Sequence, residues 1–284
     1  MTSPFSTRAN MWRTAVLPGM VALLAVLGLT ACTIGDVEQP NSTSSTTSAK
    51  PTSTTQAHKP APDKDNPLAS LAGATISIDP GHAGTAPPAS DMVTDGRGGV
   101  KQCNTTGTAS NSGWPEHTFN WQLTMRMKQM LEDAGATVLL SRQDDENRAP
   151  CIDQRAWDEN DSDADAVVSI HADGAAPQAQ GFHIAYIADP LPNNLPEESK
   201  QLAVDIRDAM SKAGFMESNY LGAQGLWPRA DLTGLNLSTR PKVLVECGNM
   251  RNDQDAAMLQ SAEGQQRLAD AIVAGIATFL RGSN

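Results

Sequence analysis

The sequence predicts an α/β protein: a single domain with a central, mostly parallel (mixed) sheet flanked by helices. Three observations predict it. Short apolar runs alternate along the chain with segments of helical spacing, as in strands joined by crossover helices. Residues 69–284 suffice for one domain with a sizeable core, and no internal repeat divides them. Three of the apolar runs also end in a residue able to do chemistry: His82 after ISIDPG, His171 after VVSI and Glu246 after VLV. If these strands are parallel, their carboxyl ends share the edge where open α/β sheets bind ligands.

Before the domain comes a different kind of chain. Met1–Arg13 carries Arg8 and Arg13 and no acid, and Thr14–Ala31 is apolar with Pro18-Gly19 near its start. A charged region followed by an apolar one is the pattern of an export signal, and the run is short and interrupted for a membrane-spanning helix. Its end, Leu29-Thr30-Ala31-Cys32, resembles a lipobox. Residues 1–31 are therefore expected to be a lipoprotein signal peptide, with a lipid on Cys32; the plain alternative is a free cysteine. Residues 32–68 are Ser, Thr, Pro and Lys with almost no large apolar side chain, so a flexible linker is expected, with His58 solvated. Its reach is about 30–35 Å. The expected location is outside the cell, anchored by lipid to the membrane and facing the wall or periplasm.

The whole chain has 21 basic and 32 acidic residues. Residues 1–31 hold two arginines and no acid, so their removal leaves 19 against 32, a charge of −13. Such a surface argues against nucleic acid as a partner. A monomer is expected.

Within the domain, Thr75 to Asp79 alternates apolar and polar residues and is broken by Pro80-Gly81: a strand over 74–79. Residues 83–114, rich in Gly, Ser, Thr, Pro and Asn, read as a long loop. Pro115 is expected to open a helix in which Phe119, Leu123, Met127, Met130 and Leu131 keep one face, ended by Gly135. Thr137–Leu140 reads as a strand, Ile152–Glu159 as a short helix, 166–171 and Gly181–Ile187 as strands, and Glu197–Lys212 as a helix. Gln224–Thr239 reads as loop, 242–247 as a strand and Leu268–Leu280 as the final helix.

Glu116 lies in the first turn of its helix, where the dipole alone favours a carboxylate. Taken with His82 and His171 it completes a set of two imidazoles and one carboxylate, the donors of many catalytic zinc sites, which keep one position open for water. The spacing between the three is too wide to decide between these readings.

Four ordered motifs carry a family resemblance: IDPGHAG, the Glu in PEHTFNW, VSIHADG and VLVECGNMRN, with QRAWDEN before the third. Over about residues 73–281 the chain resembles the zinc-dependent N-acetylmuramoyl-L-alanine amidases of type 3, which cut the amide between the lactyl group of N-acetylmuramic acid and L-alanine in peptidoglycan. The resemblance implies that His82, Glu116 and His171 bind Zn2+, that Glu246 is the catalytic carboxylate, and that residues 69–284 are the catalytic domain. It implies peptidoglycan as substrate, and wall remodelling, turnover and daughter-cell separation as the setting. A zinc hydrolase of another wall bond and a catalytically silent wall-binding lipoprotein are the competing readings; the retained four-residue set speaks against the second.

The remaining residues are read more plainly. Glu246 could instead be a buried carboxylate paired with an arginine. Asp79 either orients an imidazole from behind or caps the Pro-Gly turn. His117 is expected to be solvated, and His183 to sit on the rim, within reach of substrate. Asp173 and Asn249, which follow two of the motif ends, either touch substrate or stabilise turns, the turn role being the expected one. Trp227 and Arg229 lie in a loop, where Arg229 either pairs with a peptide carboxylate or makes a surface salt bridge. Export permits disulfides; Cys103 and Cys151, both in loops, are the expected pair, with Cys247 a buried small hydrophobe rather than a nucleophile.

Overall fold

In the computed structural model, residues 68–282 are described. The expected signal peptide, the lipidated Cys32 and all but the last residue of the expected linker lie outside the described residues. After a short 3-10 turn at Ala69–Leu71 come β1 (Thr75–Pro80), β2 (Met92–Thr94), β3 (Val100–Gln102), α1 (Glu116–Asp133), β4 (Thr137–Leu140), α2 (Ile152–Asp161), β5 (Ala166–Asp173), β6 (His183–Ile187), α3 (Pro196–Lys212), β7 (Leu226–Arg229), α4 (Thr233–Leu237), β8 (Lys242–Asn249), α5 (Asp253–Gln260) and α6 (Ala262–Gly282).

Six strands form one sheet in the order β4-β1-β5-β8-β6-β7. β4, β1, β5 and β8 are mutually parallel; β6 pairs antiparallel with β8, and β7 parallel with β6. The sheet is thus mostly parallel and mixed, as expected. Because side chains alternate across a strand, each strand deals its residues to two unlike faces. Ile76, Ile78, Val168, Ile170, Val243, Val245 and Ile184 are fully buried in the main core, with Phe119, Leu123, Met127 and Leu131 of α1, Leu202 and Ile206 of α3, and Ile272 and Ile276 of α6. Each such side chain stabilises the fold by about 1.5–3 kcal/mol through burial alone.

The opposite face is polar. It carries Asp79, Ser169, His171, Lys242, Glu246 and His183, and α2 and α4 cover part of it. Arg155 of α2 pairs with Asp79, and Glu159 of α2 with Lys242, all four side chains being buried or nearly so. A small apolar cluster of Ala185, Ile187 and Leu235 closes the far end.

Several boundaries differ from the sequence reading. Pro115 is the N-cap of α1, not its first residue. The segment 83–114 contains the antiparallel β2–β3 hairpin, whose three-residue strands are too short for a period to show; its turn is held by Asp95, which accepts from the Arg97 and Gly99 N–H groups. Residues 224–239 hold β7 and α4. Pro228 hides β7 in the sequence, yet β7 is an edge strand, where a missing N–H is tolerated. The last helical stretch begins at Ala262 and is preceded by α5, capped by Asn252, whose side chain accepts from the Gln254 and Asp255 N–H groups.

Cys103 and Cys151 form a disulfide, and Cys247 is a buried free thiol. The bridge ties the segment after the hairpin to the start of α2. The bridged residues are 48 apart, so chain-entropy arguments give it roughly 4 kcal/mol. Urea unfolding of Cys103→Ser under non-reducing conditions should show a loss of about that size, and peptide mapping of the native protein should recover the linked pair.

Candidate metal centre and active site

At the end of β1 the Pro80-Gly81 break turns the chain so that His82 adopts φ 64°, a region costly for a residue with a Cβ and frequent at functional sites. Gly81 permits a close approach: a Cβ there would lie 2.2 Å from the His171 imidazole. The turn is held from several sides. Arg155 donates from Nη1 to Asp79 at 2.6 Å and from Nη2 to the His82 carbonyl at 2.8 Å. Asn120 of α1 donates to the Gly81 carbonyl, and Arg142 to the Pro80 carbonyl.

Asp79 accepts from Ser141, Ser169 and Arg155. It holds no imidazole in these bonds and acts on the turn through Arg155, so the turn-capping alternative is the nearer of the two. Burial would raise the Asp79 pKa, but the Arg155 and Lys242 charges hold it well below the usual carboxylate range. Arg155→Leu would leave Asp79 charged and buried beside an uncommitted turn. An equilibrium loss of about 3–5 kcal/mol is expected by denaturant titration.

His82, Glu116 and His171 converge. Glu116 Oε1 lies 3.2 Å from His82 Nε2 and 3.0 Å from His171 Nδ1, and the three ligand atoms fall within 4.8 Å of one another. Donors about 2.0–2.2 Å from one tetrahedral zinc ion lie about 3.3 Å apart, so this spacing suits a single ion. The other Glu116 oxygen accepts from the Thr108 N–H at 2.9 Å. Glu116 is therefore committed to the cluster rather than to the N–H groups of its own helix. His82 Nδ1 faces the Thr105 carbonyl and hydroxyl at 3.3 and 3.0 Å; a proton held there leaves Nε2 its lone pair, the arrangement common in metal-binding histidines. Gly107, at φ 77°, covers the group, and a Cβ there would lie 2.4 Å from Glu116 Oε2. By donor type, spacing and orientation the three residues fit a zinc ion.

Electrostatics sort these groups. Burial would push the Glu116 carboxyl up, but the imidazoles, His82 foremost, hold it well below its ordinary value. Burial pushes the His171 pKa down and favours the neutral ring that a metal needs. Glu246 goes the other way. Burial raises its pKa well above the ordinary range, and the charges of Glu116 and Asp173 raise it further, while Arg229 opposes them.

Glu246 stands beside the cluster on the same sheet row. His171 of β5 is in register with Glu246 of β8, and Glu246 with His183 of β6. Antiparallel β6 starts at the edge where the others end, so His183 reaches this row from its strand's first residue. Glu246 Oε2 is buried without a hydrogen-bond partner, which excludes the arginine-paired reading; Arg229 is instead paired with Asp231 at 2.6 Å and stacked over Trp227 at 3.8 Å.

Two histidines differ from expectation. His117 is not solvated: Asp145 binds its Nδ1 at 2.8 Å, because α1 packs against the Arg142–Asp145 loop. His183 is not on the rim but fully buried, its ring edge-on to Trp227 and Tyr220, with both nitrogens unpartnered. Burial lowers its pKa to about 4. Asn249 holds turns, as expected, accepting from Ala175 and Arg251 and donating to the Ala176 and Ala179 carbonyls. Asp173 accepts from the Tyr220 hydroxyl at 3.0 Å. Thr105, Gly107, Thr108 and Arg155 were missed as parts of the site; only Arg155 had a signal, its place in QRAWDEN.

Fold and site together define an α/β protein with a donor cluster at the carboxyl edge of its sheet, flanked by a glutamate with one buried, unpartnered oxygen. Residues 76–278 match the family model described as N-acetylmuramoyl-L-alanine amidase. The chain belongs to this amidase family and is a hydrolase. It is 44% identical over 213 residues to the N-acetylmuramoyl-L-alanine amidase Rv3717 of Mycobacterium tuberculosis, covering 75% of this chain and 88% of that one. Among solved structures it resembles the N-acetylmuramyl-L-alanine amidase Ami1 from Mycobacterium smegmatis, with a TM-score of 0.73, 45% identity, and coverage of 75% of this chain and 99% of the other. Ami1 from Mycobacterium abscessus matches with a TM-score of 0.72 at 45% identity, covering 74% and 99%.

Proposed function

We propose that this amidase hydrolyses the bond between N-acetylmuramic acid and L-alanine in peptidoglycan as a zinc enzyme, with His82, Glu116 and His171 as ligands and Glu246 as the catalytic carboxylate. The observation that carries the reading is the meeting of three donor atoms within 4.8 Å beside an unpartnered Glu246 oxygen. Bound there, zinc would supply Lewis acidity, activating water and polarising the scissile carbonyl.

The chain's own residues do the rest. Glu246 takes the proton of the attacking water and delivers it to the departing alanine nitrogen. Burial and the charges of Glu116 and Asp173 raise its affinity for a proton, which favours uptake of the proton from water. His82, oriented through Nδ1 by Thr105, and His171 present their ring nitrogens to the ion. Arg155 and Asp79 keep the His82 turn in place.

In the cell the reading is of an exported protein, lipidated at Cys32, held to the membrane and reaching the wall through residues 32–68, acting as a monomer in wall remodelling, turnover and daughter-cell separation. The sequence pattern of residues 1–68 supports this part. Elemental analysis of the purified protein should find about one zinc per chain. Mass spectrometry of digested muropeptides should reveal free lactyl carboxyl and free alanine amine; new ends at any other bond would overturn the assignment.

A further inference from the structure

Glu246 and His183 oppose each other across the antiparallel β8–β6 pair. Residues directly opposite in such a pair project from one face of the sheet, with Cβ atoms about 4.5–5.5 Å apart. Two side chains of this length can meet from there. Three atoms on these two residues are buried without a hydrogen-bond partner: Glu246 Oε2 and both ring nitrogens of His183. Buried polar atoms are almost always satisfied, and here the unsatisfied ones belong to residues placed face to face.

The neighbours of His183 set its ring. It lies edge-on to Tyr220 at 5.7 Å and to Trp227 at 5.1 Å between centroids. Both neighbours are tied in turn. The Tyr220 hydroxyl donates to Asp173 at 3.0 Å. Arg229 lies over Trp227 at 3.8 Å and donates from Nε and Nη2 to Asp231, each at 2.6 Å. These ties fix the ring and give its nitrogens no bond. A filler of the space between two aromatic rings needs no nitrogens, and phenylalanine would pack there without leaving polar atoms unbonded. Burial lowers the His183 pKa to about 4, so near neutrality the ring is uncharged and has one N–H to donate to a carboxylate oxygen.

We propose that His183 is a positioning residue for Glu246: a ring nitrogen hydrogen-bonds to Oε2, directly or by way of one water, and fixes the carboxyl beside the His82–Glu116–His171 cluster. The other carboxyl oxygen is then left to the attacking water. The inference rests on the reading of Glu246 as the proton carrier.

The test uses zinc-loaded protein, with muropeptide turnover, zinc content and urea unfolding read on the same samples. His183→Phe keeps a ring for Tyr220 and Trp227 and removes both nitrogens. It should leave zinc content and stability unchanged, while kcat falls by about 10–100-fold at near-constant KM, the fold-change of a hydrogen bond to a charged group. His183→Gln, which restores a donor, should recover part of that loss. In a Glu246→Gln background the same His183→Phe change should cost nothing further, because a residue acting only through Glu246 has nothing left to act on. A fall of equal size in both backgrounds, an unchanged kcat in His183→Phe, or loss of zinc or of the folded state in both His183 variants overturns the proposal. Glu246→Gln alone tests the reading beneath it. Near-normal turnover in that variant ends the proton-carrier role; a collapse there with full activity in His183→Phe ends only the positioning role.

Discussion

Glu246→Gln should stay folded and hold zinc, while muropeptide turnover falls by about 10²–10⁴-fold, the usual worth of a positioned acid–base group. The substitution keeps size and shape and removes the proton-carrying function. Glu246 lies one strand over from His171, in register with it, yet it is not among the three residues whose ligand atoms cluster. Three protein ligands leave a zinc ion its fourth position for water, and a carboxylate beside that position serves best as a base. Steady-state kinetics with zinc content measured on the same samples decides the matter. Zinc loss in this variant would make Glu246 a ligand, and near-normal turnover would end its role in the chemistry.

His171→Ala should lose metal and activity together. Changing a residue that merely orients a ligand costs about 10–100-fold in metal affinity, so loss of a ligand itself should exceed that. The removed imidazole also bonds Glu116 at 3.0 Å and packs edge-on to His82 with ring centroids 4.8 Å apart. Glu116 would keep the Thr108 N–H and His82, which limits the structural damage. Competition with a chromophoric chelator reads the affinity, and circular dichroism confirms the fold. Full zinc occupancy in this variant would remove His171 from the ligand set.

Much of this protein was legible in the chain. Ile76 and Ile78 mark β1 by a period of two, and the apolar runs AVVSI and VLV mark β5 and β8, central strands whose neighbours bury much of both faces. The residues that follow them, His82, His171 and Glu246, were placed at one edge by assuming parallel strands, and β1, β5 and β8 are parallel neighbours. The disulfide partners could be chosen because two cysteines lay in loops and the third in an apolar run.

Other features depended on distant segments meeting. His183 looked like a rim residue because alternation in β6 tells that it shares a face with Ala185, not what covers that face; Trp227 and Tyr220, more than thirty residues on, bury it. His117 looked solvated because its partner Asp145 arrives from the far side of β4. β7 and α4 carried no usable pattern: Pro228 argued against a strand until its place at the sheet edge was known, and Thr233–Leu237 is too short to show a helical face. The sequence alone determined the strands, the main helices and the identity of the chemical groups, because burial periodicity and residue type are local properties. Only the tertiary structure decided how Glu116 joins the two imidazoles, how Arg155 braces the His82 turn, and which buried polar atoms remain unbonded, because each depends on atoms brought together from separate parts of the chain.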